Sequence, residues 1–209
     1  MDGFDLSLLL RGLLIGFSIA APVGPIGVLC IRRTLAEGRT AGLLTGLGAA
    51  TADALYGCIA AFGLTFISSF LVRQQDILAL VGGIFLCYLG VRTLLSAPAM
   101  AAAAAGSKSL LGMYTSTFFL TLTNPLTILS FAAIYAGLGL AASSGNYLSA
   151  TLVVLGVFLG SASWWLLLSG IVSLFRSRVT PNALRWVNRL SGAIILGFGV
   201  VMLIQLLQA

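Results

Sequence analysis

The sequence contains no histidine. That absence removes histidine acid–base catalysis, histidine metal ligation and histidine pH sensing together. Charge is also scarce. Asp, Glu, Lys and Arg make up 8% of 209 residues, against 59% hydrophobic residues, and acidic residues number only five. A soluble domain needs far more charge to cover its surface, so water is not the main solvent of this one. Cysteine is limited to Cys30, Cys58 and Cys87, each in a different apolar segment and none in a CxxC pair. They read as small buried apolar side chains rather than a disulfide or zinc framework. The net charge is +6, yet no block of like charges forms a nucleic-acid tail, and no nucleic-acid partner is expected. A basic n-region is missing too. The first charges are Asp2 and Asp5, so the first apolar run reads as a retained helix and not as a signal peptide.

What is present is a series of apolar runs: Leu6 to Ile31, Ala41 to Phe66, Ile77 to Leu95, Leu111 to Leu140, Tyr147 to Val172 and Leu190 to Leu207. A membrane helix needs about 20 apolar residues, so the chain has room for six spans, short loops and little else. The fourth run is long and contains Pro125, which predicts a broken or tilted helix. Basic residues separate the two sides. Every one except Arg11 and Arg73 lies in the loops after runs one, three and five or, for Arg92, at the end of run three that leads into its loop. The positive-inside rule places those loops in the cytoplasm and both termini outside it. Residues 96–110, alanine-rich and of low complexity, read as a cytoplasmic linker between a first three-helix half, 1–95, and a second, 111–209. Leu174 to Val187 mixes arginines with Phe175, Leu184 and Trp186, a pattern suited to a segment lying on the membrane surface.

The two halves resemble each other. One offset carries Gly83 onto Gly192 and Gly90 onto Gly199. A nearly equal offset carries Gly48 onto Gly156, Asp53 onto Ser161 and Tyr56 onto Trp164, and Pro25 of run one matches Pro125 of run four. Three spans per half force the second half to enter the bilayer from the opposite face. The expected fold is therefore an all-α integral membrane protein of six transmembrane helices, arranged as two inverted three-helix repeats.

Prolines break runs one and four. Run one carries Ala-Pro-Val-Gly-Pro from Ala21 to Pro25, with Gly24 loosening the backbone between Pro22 and Pro25. Run four carries Thr123, Asn124 and Pro125. In lipid a freed backbone group costs several kcal/mol unless protein or a cavity satisfies it, so the first and fourth helices are expected to be broken around a cavity. Both following half-helices then point positive N-terminal ends at the midplane, where they suit a small anionic group such as a carboxylate. Asp53 lies near the centre of run two, at an insertion cost of about 2.5–3.5 kcal/mol. It should face the bundle as a proton carrier, as the partner of a cationic group, or as a ligand for the freed backbone of run one. Tyr56 is one turn along on the same face, and Trp164 lies inside run five; either lines the pathway or simply packs. The GxxxG pairs Gly12–Gly16, Gly42–Gly46 and Gly156–Gly160 are expected at close helix contacts.

On Ala21 to Pro25, the glycine-spaced second span from Gly42 through Asp53 to Gly63-Leu64, and Thr123 to Pro125, the chain resembles the lysine exporter and homoserine/threonine exporter family of bacterial transporters over nearly its whole length. The resemblance implies a bacterial source and export of amino acids or close relatives across the cytoplasmic membrane, driven by the proton gradient. Family members usually carry Asn-Pro-Lys in the fourth span, where this chain has Leu126 in place of the lysine.

Other classes fit less well. A thiol–disulfide electron carrier needs cysteine on run four, and there is none. Lone cysteines without histidine make a poor soft-metal site, which weighs against export of a toxic cation. An intramembrane enzyme lacks an acid–base pair. A non-transport assembly protein remains distinguishable only by flux. The expected reading is a proton-coupled, alternating-access amino-acid exporter in membrane lipid. It has no cofactor and no metal, and leaves room for a homodimer. Its expected site comprises Pro22, Gly24, Pro25, Asp53, Tyr56, Thr123, Asn124, Pro125 and Trp164.

Overall fold

The computed structural model describes residues 6–22, 24–62, 73–95, 109–124, 127–131 and 147–208. These residues form α1 (Leu6–Ala20), α2 (Pro25–Glu37), α3 (Arg39–Ala61), α4 (Gln75–Leu94), α5 (Leu110–Leu122), α6 (Tyr147–Phe175) and α7 (Pro181–Gln208), with a short 3-10 turn at Arg176–Arg178. Among the described residues there is no strand. Among the described residues four helices are long and apolar enough to cross a membrane, and the bent pair α1–α2 passes the same test when the two are taken as one span. Helix α5 is shorter, and the remainder of run four after residue 131 lies outside the described residues, as does the linker up to residue 108.

The first run is two helices whose axes meet at 81°. Helix α1 stops at Ala20. The chain then turns through Pro22 and Gly24, and Pro25 opens α2 at its first helical position, where a missing N–H costs nothing. The amide of Gly24 donates to the Pro22 carbonyl at 3.0 Å. Helices α2 and α3 are joined by Gly38 alone, at φ +104°. A side chain is strained in that conformation, and a Cβ there would stand 3.2 Å from Nη1 of Arg176.

Glycine decides how closely the helices approach. Gly12 and Gly16 of α1 face Gly156 and Gly160 of α6. A Cβ on any of the four would overlap a backbone carbonyl of the facing helix: that of Val153, Val157, Leu9 or Leu13 respectively. Helices without a hydrophobic drive to associate gain stability from this kind of backbone approach. On α3, Gly46 makes room for Trp165 of α6, and Gly48 for the Tyr114 carbonyl of α5. Helices α4 and α7 pack at two crossings, where Gly199 lies against the Gly83 carbonyl and Gly192 against the Gly90 carbonyl. Two apolar clusters fill the interior. The larger joins α1, α2, α3, α4, α5, α6 and α7 through residues such as Leu29, Ala50, Leu86, Leu120, Trp165 and Ile195. Outer faces remain apolar, including Ile77, Leu80, Val81 and Ile84 on α4 and Val201 and Ile204 on α7, as lipid contact requires.

The structure departs from the apolar runs at the C-terminal end. Helix α7 begins at Pro181, well before Leu190, and α6 continues to Phe175. Leu174 to Val187 comprises the end of one helix, the 3-10 turn and the opening turns of the next. The reason is local. Pro181 takes a helix-start position, the hydroxyl of Thr180 accepts from the Ala183 amide at 3.2 Å, and Leu184 and Asn188 are buried.

Gly160→Val places carbon where the Leu13 carbonyl sits and is expected to lower stability by about 1–3 kcal/mol or more. Gly197→Ala has open space around it. Thermal unfolding of both variants in detergent checks the contrast: a large fall for the first and little change for the second.

Candidate functional site

A cavity of about 560 Å³ opens where the break between α1 and α2 and the end of α5 meet α3 and α6. That volume lies within the usual range for small-molecule sites. Its wall is mostly apolar, with polar groups at a few points.

Asp53 on α3 supplies the only formal charge lining it among the described residues. The side chain is 3% exposed. Ser161 of α6 donates to Asp53 Oδ2 at 2.7 Å, and Nε1 of Trp165 donates to the Ser161 hydroxyl at 3.2 Å. Ser161 and Trp165 stand one turn apart on the same face of α6, so one helix holds the whole relay. Among the described residues no cation pairs with Asp53. A buried carboxylate with a single neutral donor beside a cavity is placed to meet a proton or a cationic group.

The opposite wall is the start of α2. Gly24 is its N-cap and contributes no side-chain cap. The first amides of a helix lack intrahelical acceptors, so those of Ile26 and Gly27, both lining the cavity, are available to it. A Cβ on Gly24 would meet nothing within 4 Å, which leaves the approach to this helix end open. A second helix start is nearby. The Asn124 carbonyl accepts from the amides of Thr127 at 3.1 Å and Ile128 at 3.2 Å, beginning the helical segment 127–131. Asn124, Thr127 and Ser130 line the cavity, with Thr121 from the last turn of α5.

Pro22, Gly24, Pro25, Asp53 and Asn124 therefore come together around one space. Pro125 lies outside the described residues. Tyr56 does not line the cavity. Its hydroxyl donates to the Leu122 carbonyl at 2.5 Å and its ring lies 5.6 Å from that of Phe131, so it pins the broken end of α5 to α3. The Thr123 hydroxyl donates back to the Phe119 carbonyl at 2.9 Å. Trp164 packs edge-on against Phe17 at 5.4 Å, while its neighbour Trp165 lines the space. The periodicity that links Asp53's partner Ser161 to a residue one turn on selects Trp165. Thr127 and Ser130 carry no signal beyond being polar residues just past a helix break.

Tyr56→Phe leaves the Leu122 carbonyl without its donor and removes no group from the cavity wall. Unfolding in detergent is expected to show a loss of about 1–3 kcal/mol. An unchanged stability would mean that the tyrosine does not hold the break together.

Three comparisons with known proteins bear on this site. Residues 17–206 match the family described as LysE type translocator. The chain is 31% identical over 200 residues, 93% of its own length and 94% of the relative's, to "Putative amino acid efflux protein YcgF" of Bacillus subtilis (strain 168). It is 30% identical over 169 residues, 79% of its own length and 75% of the relative's, to "Uncharacterized membrane protein YahN" of Escherichia coli (strain K12). No solved structure matches it.

Proposed function

This chain belongs to the LysE type translocator family, and from that premise we propose that it is a secondary active exporter of amino acids or close derivatives in the bacterial cytoplasmic membrane. The observation that carries the reading is the pairing of one carboxylate, Asp53, with the open start of α2 around a single cavity. An amino acid is a zwitterion. Its carboxylate is matched by the unpaired amides and positive dipole end at Ile26 and Gly27, with the polar side chains of Asn124, Thr127 and Ser130 on the same cavity. Its ammonium is matched by Asp53. Protonation of Asp53 removes that match and couples release to the proton gradient. Pro22, Gly24, Pro25, Asp53, Asn124 and Pro125 form the site in this reading. Tyr56, Thr123 and Trp164 hold its frame.

The six spans form two inverted three-helix halves, 1–95 and 111–209, joined by the linker 96–110. Contact geometry supports this. In an assembly with a two-fold axis, each contact between two positions recurs with the positions exchanged. The Gly83–Gly199 and Gly90–Gly192 crossings of α4 and α7 are related in that way, given the match of Gly83 with Gly192 and Gly90 with Gly199. Asp53 and Ser161, matched in sequence, meet each other as residues beside such an axis do. Rocking of one half against the other exposes the cavity alternately to the two sides. The distribution of arginines orients both termini away from the cytoplasm. The protein works in lipid without a cofactor and has room to pair as a homodimer.

Efflux of radiolabelled amino acids from preloaded proteoliposomes, with and without an imposed proton gradient, tests the proposal. Gradient-dependent efflux of one or a few amino acids is expected. No efflux of any, from protein shown to be folded, sinks it in favour of cation export or a non-transport role. Asp53→Asn is expected to abolish the flux while the protein still inserts and folds; full activity in that variant removes Asp53 from the mechanism.

A further inference from the structure

A second cavity, of about 400 Å³, lies along the other end of α2. Three guanidinium groups, those of Arg32, Arg33 and Arg92, line it against one carboxylate, Glu37. Arg33 is 7% exposed. Its Nη1 donates to the Thr45 hydroxyl at 3.0 Å, the Met113 carbonyl at 3.0 Å and the Thr117 hydroxyl at 3.1 Å, and Nη2 to the Ser116 hydroxyl at 3.0 Å. Every one of these acceptors is neutral. They hold the guanidinium in place through Nη1 and Nη2 without cancelling its charge. Helix α5 also starts here: Ser109 caps it by accepting from the Gly112 amide at 3.3 Å, and both residues line the cavity. The positive end of a helix thus adds to a wall that already carries an excess of cations.

The two cavities share a partition. Ile26, which lines the first, and Leu29 and Leu89, which line the second, belong to one apolar cluster with Cys30, Leu86 and Leu120. From Gly27 at the first cavity to Arg33 at the second, α2 advances by about 9 Å. Between an anion held by the arginines and the helix start at Ile26 lies this buried apolar cluster, which includes Leu29, Leu86 and Leu89.

We propose that the arginine-lined cavity is a second binding site, for the carboxylate of a small molecule, and that it loads the substrate on the arginine-rich side before passage across the Leu29–Leu86–Leu89 layer. The loading role rests on the amino-acid-export reading; the carboxylate site does not. Guanidinium groups take carboxylate oxygens in paired hydrogen bonds, which suits them to capture an amino acid by the end that the first cavity also receives. Glu37 weakens the hold enough for release.

The test uses full-length protein in lipid-free detergent, with acetate as the minimal carboxylate and inorganic phosphate as the competing anion, at constant ionic strength. Binding is followed through the shift in unfolding temperature with anion concentration. Acetate is expected to stabilise the wild type saturably. Arg92 is exposed, so Arg92→Gln folds, and it is expected to weaken acetate binding about tenfold, as is Arg33→Gln where it folds. Glu37→Gln is expected to tighten binding. Arg178→Gln, an exposed arginine outside the cavity, is expected to leave it unchanged. Equal acetate binding in wild type and Arg92→Gln overturns the site, and so does tighter binding of phosphate than of acetate, which assigns the cavity to a phosphate or a lipid headgroup. In proteoliposomes a raised KM with unchanged maximal flux in Arg92→Gln supports loading, and an unchanged KM overturns it. Acetate binding that depends on Arg92 in a protein that exports no amino acid supports the site while the export reading fails.

Discussion

Lipid offers no hydrogen bonds, so a backbone group freed inside a membrane helix must find its partner within the protein. The architecture around Pro22 and Pro25 follows from that constraint. Two prolines three residues apart end α1 and start α2 at a steep angle, and the amides at the new start need somewhere polar to point. Ile26 and Gly27 at that start line a cavity. The far side of the same cavity is made by the other break, after Leu122, whose carbonyl is satisfied by Tyr56 and whose next helical segment is opened by Asn124. The breaks thus bring polar groups to two sides of a mostly apolar cavity.

Asp53 fits the same logic. A carboxylate among apolar helices is costly, and one serine hydroxyl offsets only part of that cost. The cavity supplies the rest by giving the group room for a proton or a cation. Glycine makes this arrangement compact. Close contact of α1 with α6 through Gly12, Gly16, Gly156 and Gly160 brings the broken end of α1 over the helix that carries Ser161 and Trp165. Residues that never touch the cavity therefore set its width.

Arginine is handled differently. Arg33 is enclosed by hydroxyls and one carbonyl from α3 and α5, so a residue counted as a loop charge for orientation is also a bolt between three helices. Its guanidinium lines a second cavity with Arg32 and Arg92, distinct from the one that holds Asp53.

The sequence by itself determined the solvent, the helical class and the breaks, because proline geometry, hydropathy and the cost of a buried Asp act locally. Asp53, Pro22, Gly24, Pro25 and Asn124 were legible for that reason. Tertiary structure decided which residues share a wall. Trp165 and not Trp164 faces the space, and Tyr56 turns away to bind the Leu122 carbonyl, because side-chain direction on a helix depends on a rotation that neighbours fix. The early start of α7 at Pro181 had a local signal in Thr180 and Pro181, outweighed in the sequence by the arginines around it. The grouping of Arg32, Arg33 and Arg92 was not legible at all. These residues come from α2 and α4, and only the packing of those helices against α5 puts them around one cavity.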